Sequence, residues 1–221
     1  MAGERRDLVP EFWRELAGRL PRGAVVLDVG AHYLEEACHL IPYLEGVEWH
    51  AFEADPACCR GCAEFVVPLL ERRGWKVAVR QVAVCDEVGE RELYLSERKT
   101  GEPWTASSSI CRPKNVLAAY PWLHFPRQIR VPSTTLDAYC SSAGIIRVDL
   151  LKMDVQGAEI SVVRGGQETL KRTRYVVTEV VENEEYEGQV GLDGLVAAMP
   201  GRWSVVERLA CDALLVNESS G

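Results

Sequence analysis

No apolar run in the 221-residue sequence approaches the roughly 18 residues that a membrane-spanning helix needs, so no membrane span is expected. The opening Met1–Asp7 lacks the apolar core of a signal peptide, and a cytoplasmic protein is expected. An excess of positive charge is also missing. The formal net charge of −8 argues against a nucleic-acid backbone as the main partner. Cys58-Cys59-Arg60-Gly61-Cys62 contains one C-x-x-C, but no second pair and no histidines at ligand spacing accompany it, so no metal site is expected. It falls inside an expected helix after Pro56 rather than just after a strand, which disfavours a redox role. The eight cysteines are expected to be mostly reduced and buried.

Two phosphate-binding loops are absent as well. Counting from Gly30, the dinucleotide fingerprint G-x-G-x-x-G would need glycines where His32 and Glu35 stand, and no G-x-x-x-x-G-K-[ST] occurs. What is present is Ala24-Val25-Val26-Leu27-Asp28-Val29-Gly30-Ala31. Four apolar residues run into an aspartate and a glycine, and an amphipathic stretch follows. This reads as a buried parallel strand feeding a helix through a tight turn. Ligands of open α/β sheets bind at such strand ends. Gly30 would let the backbone approach a ligand. A ligand without a pyrophosphate suits the loop, and S-adenosylmethionine (SAM) is one. Glu53, 25 residues beyond Asp28 and closing the next expected strand, is placed to take ribose hydroxyls.

The rest of the chain alternates strands with helices, which implies a mostly parallel sheet with helices on both faces. A cap helix is expected over residues 10–20, ended by Pro21, so that residues 1–22 form an N-terminal cap on a single domain spanning 23–221. Asp55 is expected to cap a helix opened by Pro56 and interrupted at Pro68. Val77–Val84 reads as one strand closing at Cys85-Asp86. Residues 96–127, with Trp104, Tyr120, Trp122 and His124, read as a long loop, functional or mobile, whose aromatics either cover an acceptor or pack the loop down, and Gln128–Val131 as a short strand stopped by Pro132. Val148–Met153 reads as a second buried strand, ending in Asp154.

Four stretches resemble the FkbM-type SAM-dependent methyltransferases. They are Leu27-Asp28-Val29-Gly30-Ala31, Ala51-Phe52-Glu53-Ala54-Asp55-Pro56, Thr135-Leu136-Asp137, and Asp149-Leu150-Leu151-Lys152-Met153-Asp154-Val155-Gln156-Gly157-Ala158-Glu159. The last is similar to an L-K-x-D-x-E-G-x-E signature, and Ser108-Ser109 matches a serine pair upstream of it. The resemblance implies a Rossmann-like seven-stranded sheet with the last strand antiparallel. It implies methyl transfer from SAM to a hydroxyl of a sugar or other small natural product. It places Asp28 and Gly30 in the cofactor loop, Glu53 at the ribose and Asp154 beside the methyl group. Ala31, Ala54 and Asp86, next to these positions or at the end of the third strand, complete the expected cofactor set. The chain departs from the family's D-V-G-A-N-x-G at His32 and Leu34, where bulk is expected to reshape the pocket. It departs again at Gln156, which replaces an acid.

Methyl transfer to a hydroxyl needs an aligned nucleophile and a group to take its proton. Asp154 is the first candidate and His124 the second. Glu159 reads as structural, and Glu179 as a pocket wall. With Gln156 neutral, no metal is expected. Absence of an Asn/Asp-Pro-Pro-Tyr stretch disfavours base methylation. The competing reading is a non-catalytic SAM-binding or partner-binding domain of the same fold. No oligomeric state can be read from the sequence.

Overall fold

Along Val25–Val29 (β1) the side chains alternate between two apolar layers, and that alternation sets the architecture. Val26 packs with Trp49, Leu150 and Val177 beneath the helices Pro10–Ala17 and Glu35–Leu40, while Leu27 and Val29 pack with Leu151, Met153 and Val176 against Leu136, Val162 and Leu192. A strand buried on both sides needs apolar residues at successive positions, hence the continuous run seen in the sequence. The computed structural model describes residues 10–209 and 211–219.

The strands after β1 are Glu48–Glu53 (β2), Lys76–Gln81 (β3), Ala83–Val84 (β4), Gly89–Arg98 (β5), Leu123–Thr134 (β6), Val148–Met153 (β7), Thr173–Glu179 (β8), Trp203–Arg208 (β9) and Asp212–Asn217 (β10). Seven form one sheet in the order β3-β2-β1-β7-β8-β10-β9. The pairs from β3 to β8 are parallel, and β10 runs antiparallel to both its neighbours. The expected Rossmann-like α/β fold is therefore present, with the antiparallel strand last in sequence. Strand order reverses at β1, which puts a topological switch point between β1 and β7.

Local signals hold where a side chain answers its own backbone. Asp55 accepts the Ala57 N–H at 2.7 Å, and Thr135 accepts that of Ala138 at 3.0 Å, capping the helices Pro56–Gly61 and Leu136–Ala143. Pro68 does not break its helix. A π-helical turn, Cys62–Val66, widens the ladder just before it, and Val67–Arg72 continues as α-helix. The first helix covers Pro10–Ala17, shorter than the expected 10–20, and gives way at Gly18 to turns; Phe12, Trp13 and Leu16 are buried under the sheet. The opening Met1–Asp7 and the first part of the expected cap lie outside the described residues.

Three strand and loop expectations are corrected. Val77–Val84 is not one strand, because the chain changes sheets at Val82 and Ala83–Val84 pairs with β6 in a three-stranded sheet ordered β4-β6-β5. Residues 96–127 are not all loop, and the strand taken as 128–131 has twelve residues, paired antiparallel with β5 along its length. β6 runs through Pro126 and Pro132 because β4 reaches only Ser133 and Thr134, which leaves most of its far edge without a strand partner among the described residues. The connection that does loop out, between Arg98 and Leu123, folds back over the switch point. No helix among the described residues is long and apolar enough to cross a membrane.

Candidate active site

The carboxyl ends of β2, β1 and β7 open into a cavity of about 720 Å³, roofed by Pro103–Ala106 and Ser108–Ile110. That volume lies within the range of small-molecule sites. One wall is apolar, formed by Phe52, Ala54, Val82, Val84, Leu93 and Ile110. The lining also carries Lys152, Glu36, Asp154 and Gln156.

Glu53 ends β2 and turns into the cavity. Its Oε2 accepts the His32 N–H at 2.8 Å and its Oε1 that of Asp55 at 2.7 Å, so the carboxylate is fixed. Burial pushes it up to about 7, against the pull of those two backbone donors. Ala54 lines the cavity beside it.

Gly30 lines the cavity with a φ of +77°, but its missing side chain serves a different purpose from the one expected. A Cβ there would stand 1.8 Å from the Asp154 carbonyl oxygen. Glycine lets the end of β1 lie against the residue after β7, where the Asp154 N–H donates to the Val29 carbonyl at 3.0 Å. Asp154 is thereby brought beside Gly30. Its Oδ1 accepts from Gln156 Nε2 at 2.6 Å, and the same amide donates to Glu179 Oε2 at 2.8 Å. Gln156, at φ +51°, is held there by Ser109, whose hydroxyl donates to its carbonyl at 2.7 Å.

Four of the expected site residues are not among the cavity's lining. Asp28 is wholly buried beneath it, taking a hydrogen bond from Trp49 Nε1 at 3.3 Å and facing Lys152 Nζ at 3.5 Å. Burial pushes its carboxyl up, opposed by the Lys152 charge. Ala31 is buried, and its N–H and that of Gly30 both bond the Phe52 carbonyl. Asp86 is drawn to the outside by Arg91 at 3.2 Å, because β3 stops at Gln81 and the wall is made by Val82–Val84 instead. His124 sits on β6 with Glu97 as its charged neighbour at 3.9 Å. Glu159 is buried and accepts the Val155 N–H at 3.1 Å, closing its own turn as expected of a structural acid.

Sequence reasoning passed over Lys152, Glu36, Tyr33, Thr105 and the wall formed by Val82–Val84. A signal existed for Lys152, since a charge inside a buried strand demands a partner. None existed for Thr105, whose contact comes from a distant part of the chain.

The match to the FkbM methyltransferase domain runs from residue 28 to residue 207, most of the chain. The chain belongs to the FkbM methyltransferase family. It is 36% identical over 177 residues to the 2-O-methyltransferase NoeI of Sinorhizobium fredii, covering 80% of this chain and 71% of that protein. Solved structures share its fold. The METTL16 methyltransferase domain has a TM-score of 0.50 at 12% identity, over 95% of this chain and 65% of that one. The O-methyltransferase of Bacillus cereus in complex with S-adenosylhomocysteine (SAH) has a TM-score of 0.50 at 13% identity, over 97% and 84%. This FkbM chain is a SAM-dependent methyltransferase, and the cavity fits that cofactor. Its lining combines apolar side chains, a buried acid fixed by two backbone donors and charged groups.

The two departures from the FkbM loop pattern fall on left-handed backbone. His32 has φ +44° and Leu34 φ +64°, where the family's asparagine and glycine would adopt positive φ at less cost. Leu34 does not enter the cavity. Its side chain is fully buried with Ala37, Leu40 and Ile41. His32 does enter, and it clamps the roof: Nε2 bonds Thr105 Oγ1 at 2.7 Å while Nδ1 bonds Glu35 Oε1 at 2.9 Å. Burial works against its charge, but hydrogen bonding to Cys58 and Glu35 outweighs that, and its pKa rises to about 10. The thiols of the C-x-x-C are also spent on this loop. Cys62 donates to the His32 carbonyl at 3.1 Å and Cys59 to the Glu53 carbonyl at 3.2 Å. All eight cysteines are free, and no metal-holding group of histidine, cysteine and carboxylates is found among the described residues.

Proposed function

We propose that the protein methylates a hydroxyl of a sugar or another small natural product in the cytoplasm, with Asp154 as the group that takes the hydroxyl proton. The observation that carries this reading is the Gln156 amide, which spends both N–H bonds on Asp154 and Glu179. One carboxylate oxygen of Asp154 is thus held still; the residue lines the cavity, and its other oxygen has no side-chain hydrogen bond among the described residues. A base fixed in this way loses little motion when the acceptor arrives. The net charge of −8 and a cavity of about 720 Å³ favour a small acceptor over a nucleic acid. The relative named as a 2-O-methyltransferase supports a hydroxyl as the nucleophile.

Bound SAM supplies a methyl carbon activated by its sulfonium. Glu53 accepts the ribose hydroxyls. Asp154 would take the proton of the acceptor hydroxyl as its oxygen gains the methyl group. The roof, tied down through His32 and Thr105, keeps water from competing. Asp28 and Ala31 support the loop from behind. We assign no role to His124 or Asp86. Gln156 places a neutral donor where a divalent ion would want a third oxygen ligand, so Asp154 acts without a metal.

Asp154→Asn is expected to leave SAH affinity within about threefold and to cut turnover by ~10²-fold or more. EDTA is expected to leave wild-type activity unchanged. Full turnover by Asp154→Asn would remove the assigned base. Loss of activity in EDTA with rescue by magnesium would instead establish a metal-assisted route.

A further inference from the structure

Trp104, in the roof of the cavity, is the inner member of an aromatic cluster that continues outside it. Its ring stands 5.1 Å from that of Trp122, at 84°, and Tyr120 stands 6.0 Å from Trp122. Arg98, at the end of β5, lies over both indoles, 4.8 Å from the Trp104 centroid and 4.9 Å from that of Trp122. The cluster has a fixed base. Trp104 Nε1 donates to Ser107 Oγ at 3.0 Å, and its carbonyl accepts from Ser96 Oγ at 2.7 Å. The Trp122 carbonyl accepts the Lys99 N–H at 2.8 Å. Trp104 and Tyr120 pack on Val116, Leu123 and Tyr186, yet Trp122 stays 38% exposed.

Arg98 stands out among the charges of this surface. The neighbouring Glu97 is taken by Arg127 at 2.7 Å. The Arg98 guanidinium has neither a carboxylate nor a hydrogen-bond acceptor among the described residues, in a chain of net charge −8. A guanidinium stacked on a ring keeps its N–H donors at its rim. Rigid indoles beside unspent donors, at the edge of the cavity, make a surface that is complete only with a ligand.

We propose that Arg98, Trp104 and Trp122 form an acceptor subsite for the second ring of an oligosaccharide, the ring next to the one that is methylated. This rests on the sugar-hydroxyl reading above. A pyranose presents C–H groups on its faces and hydroxyls around its rim. The C–H face suits the negative π surface of an indole, and the hydroxyls accept from Arg98. A lipid tail would use the indoles but leave those donors unpaired. A polyanion would want several cations here, and Glu97 and Glu102 oppose it. Two rings in line follow from the run of the cluster, because Trp104 lines the cavity and Trp122 lies outside it.

The test is transfer of a radiolabelled methyl group from SAM by the full chain onto a panel of free monosaccharides and of disaccharides ending in the same rings, drawn from hexoses, deoxyhexoses and amino sugars. At least one disaccharide is expected to be labelled, with kcat/KM about tenfold or more above that of its monosaccharide. Trp122→Ala and Arg98→Gln should each shrink that preference about fivefold or more, with SAH affinity by calorimetry within about twofold of wild type. Trp122→Phe, which keeps a ring face, should regain most of the preference, as a purely structural defect would not. Arg98→Gln, at a partly exposed side chain, is the independent measurement should Trp122→Ala fail to fold. Equal labelling of monosaccharides and disaccharides, or a preference that the folded variants keep, would overturn the subsite and leave the sugar-hydroxyl reading standing. A parallel loss of SAH affinity in the variants would place these residues with the cofactor and overturn it too. Folded wild type that binds SAH and labels no sugar would overturn both the subsite and the sugar reading.

Discussion

Glu53 shows how one buried residue can be a liability and, in the proposed reading, a ribose contact. Its carboxylate is buried at the mouth of the SAM loop, satisfied by two backbone donors, and raised to about 7 by burial. Each oxygen keeps a lone pair that a ribose hydroxyl can use. Two charge-assisted hydrogen bonds at ~1.5–3 kcal/mol each make Glu53→Ala at least tenfold weaker for SAH. Hydroxyl donors favour the ionised form, so binding should expel the proton that half the apo molecules carry near pH 7. SAH affinity is therefore expected to drop by about tenfold from pH 8 to pH 6. Calorimetry in buffers of different ionisation enthalpy should register the proton released. Glu53→Gln should flatten the profile, and an unchanged profile in that variant would place the titrating group elsewhere.

The turn from β1 into the helix Glu35–Leu40 is the element that carries most of the site, and it is built against local preference. Leu34 holds a left-handed backbone just before the helix, without any side-chain cap. The αL geometry costs a leucine about 1–2 kcal/mol, but burying its side chain is worth about 2–5 kcal/mol, so burial wins. The competition can be measured. Leu34→Ala loses the burial and keeps the strain, whereas Leu34→Gly loses the burial and is relieved of the strain. Both should be destabilised in urea, with glycine the milder by about 1 kcal/mol. A glycine variant more stable than wild type would show that the family's residue is the better choice here. His32 also accepts positive φ, and its compensation is the bond to Thr105 that draws the roof over the cavity.

At the scale of the whole molecule, the pH dependence follows from carboxylates that the fold buries at the sheet's carboxyl edge. Burial raises Glu53 and Glu159 to about 7, and raises Asp28 as well. A carboxyl raised above its unfolded value binds more protons in the native state than in the unfolded chain. Its stabilising contribution is whole below the unfolded pKa and is lost as pH rises through the folded one. The apo protein is therefore expected to melt at a higher temperature near pH 5 than near pH 8. Saturating SAH, which stabilises by mass action and favours ionised Glu53, should narrow the difference. Glu159→Gln should narrow it too. A melting temperature that climbs steadily from pH 5 to pH 8 in the apo protein would contradict the assignment of these buried groups.

What the chain determines by itself is whatever a residue settles with its near neighbours. The continuous apolar runs of β1 and β7 require burial on both sides, and the parallel sheet follows. Asp55 and Thr135 cap helices through bonds two or three residues away. The same reach carries Gly30, Glu53, Ala54 and Asp154 to the ends of adjacent strands, and all four line the cavity. Tertiary structure decided the rest, because the deciding partners are distant in sequence. β6 persists through two prolines only because β5 binds one edge and most of the other has no strand partner among the described residues. Asp28 was legible as an acid at a strand end, but its burial depends on Trp49 from β2 and Lys152 from β7. His32 meets Thr105 across 73 residues, and Gln156 links Asp154 to Glu179 on the neighbouring strand. A side chain's type can be read from the sequence, but whether it faces ligand, core or solvent is set by what the assembled sheet stacks against it.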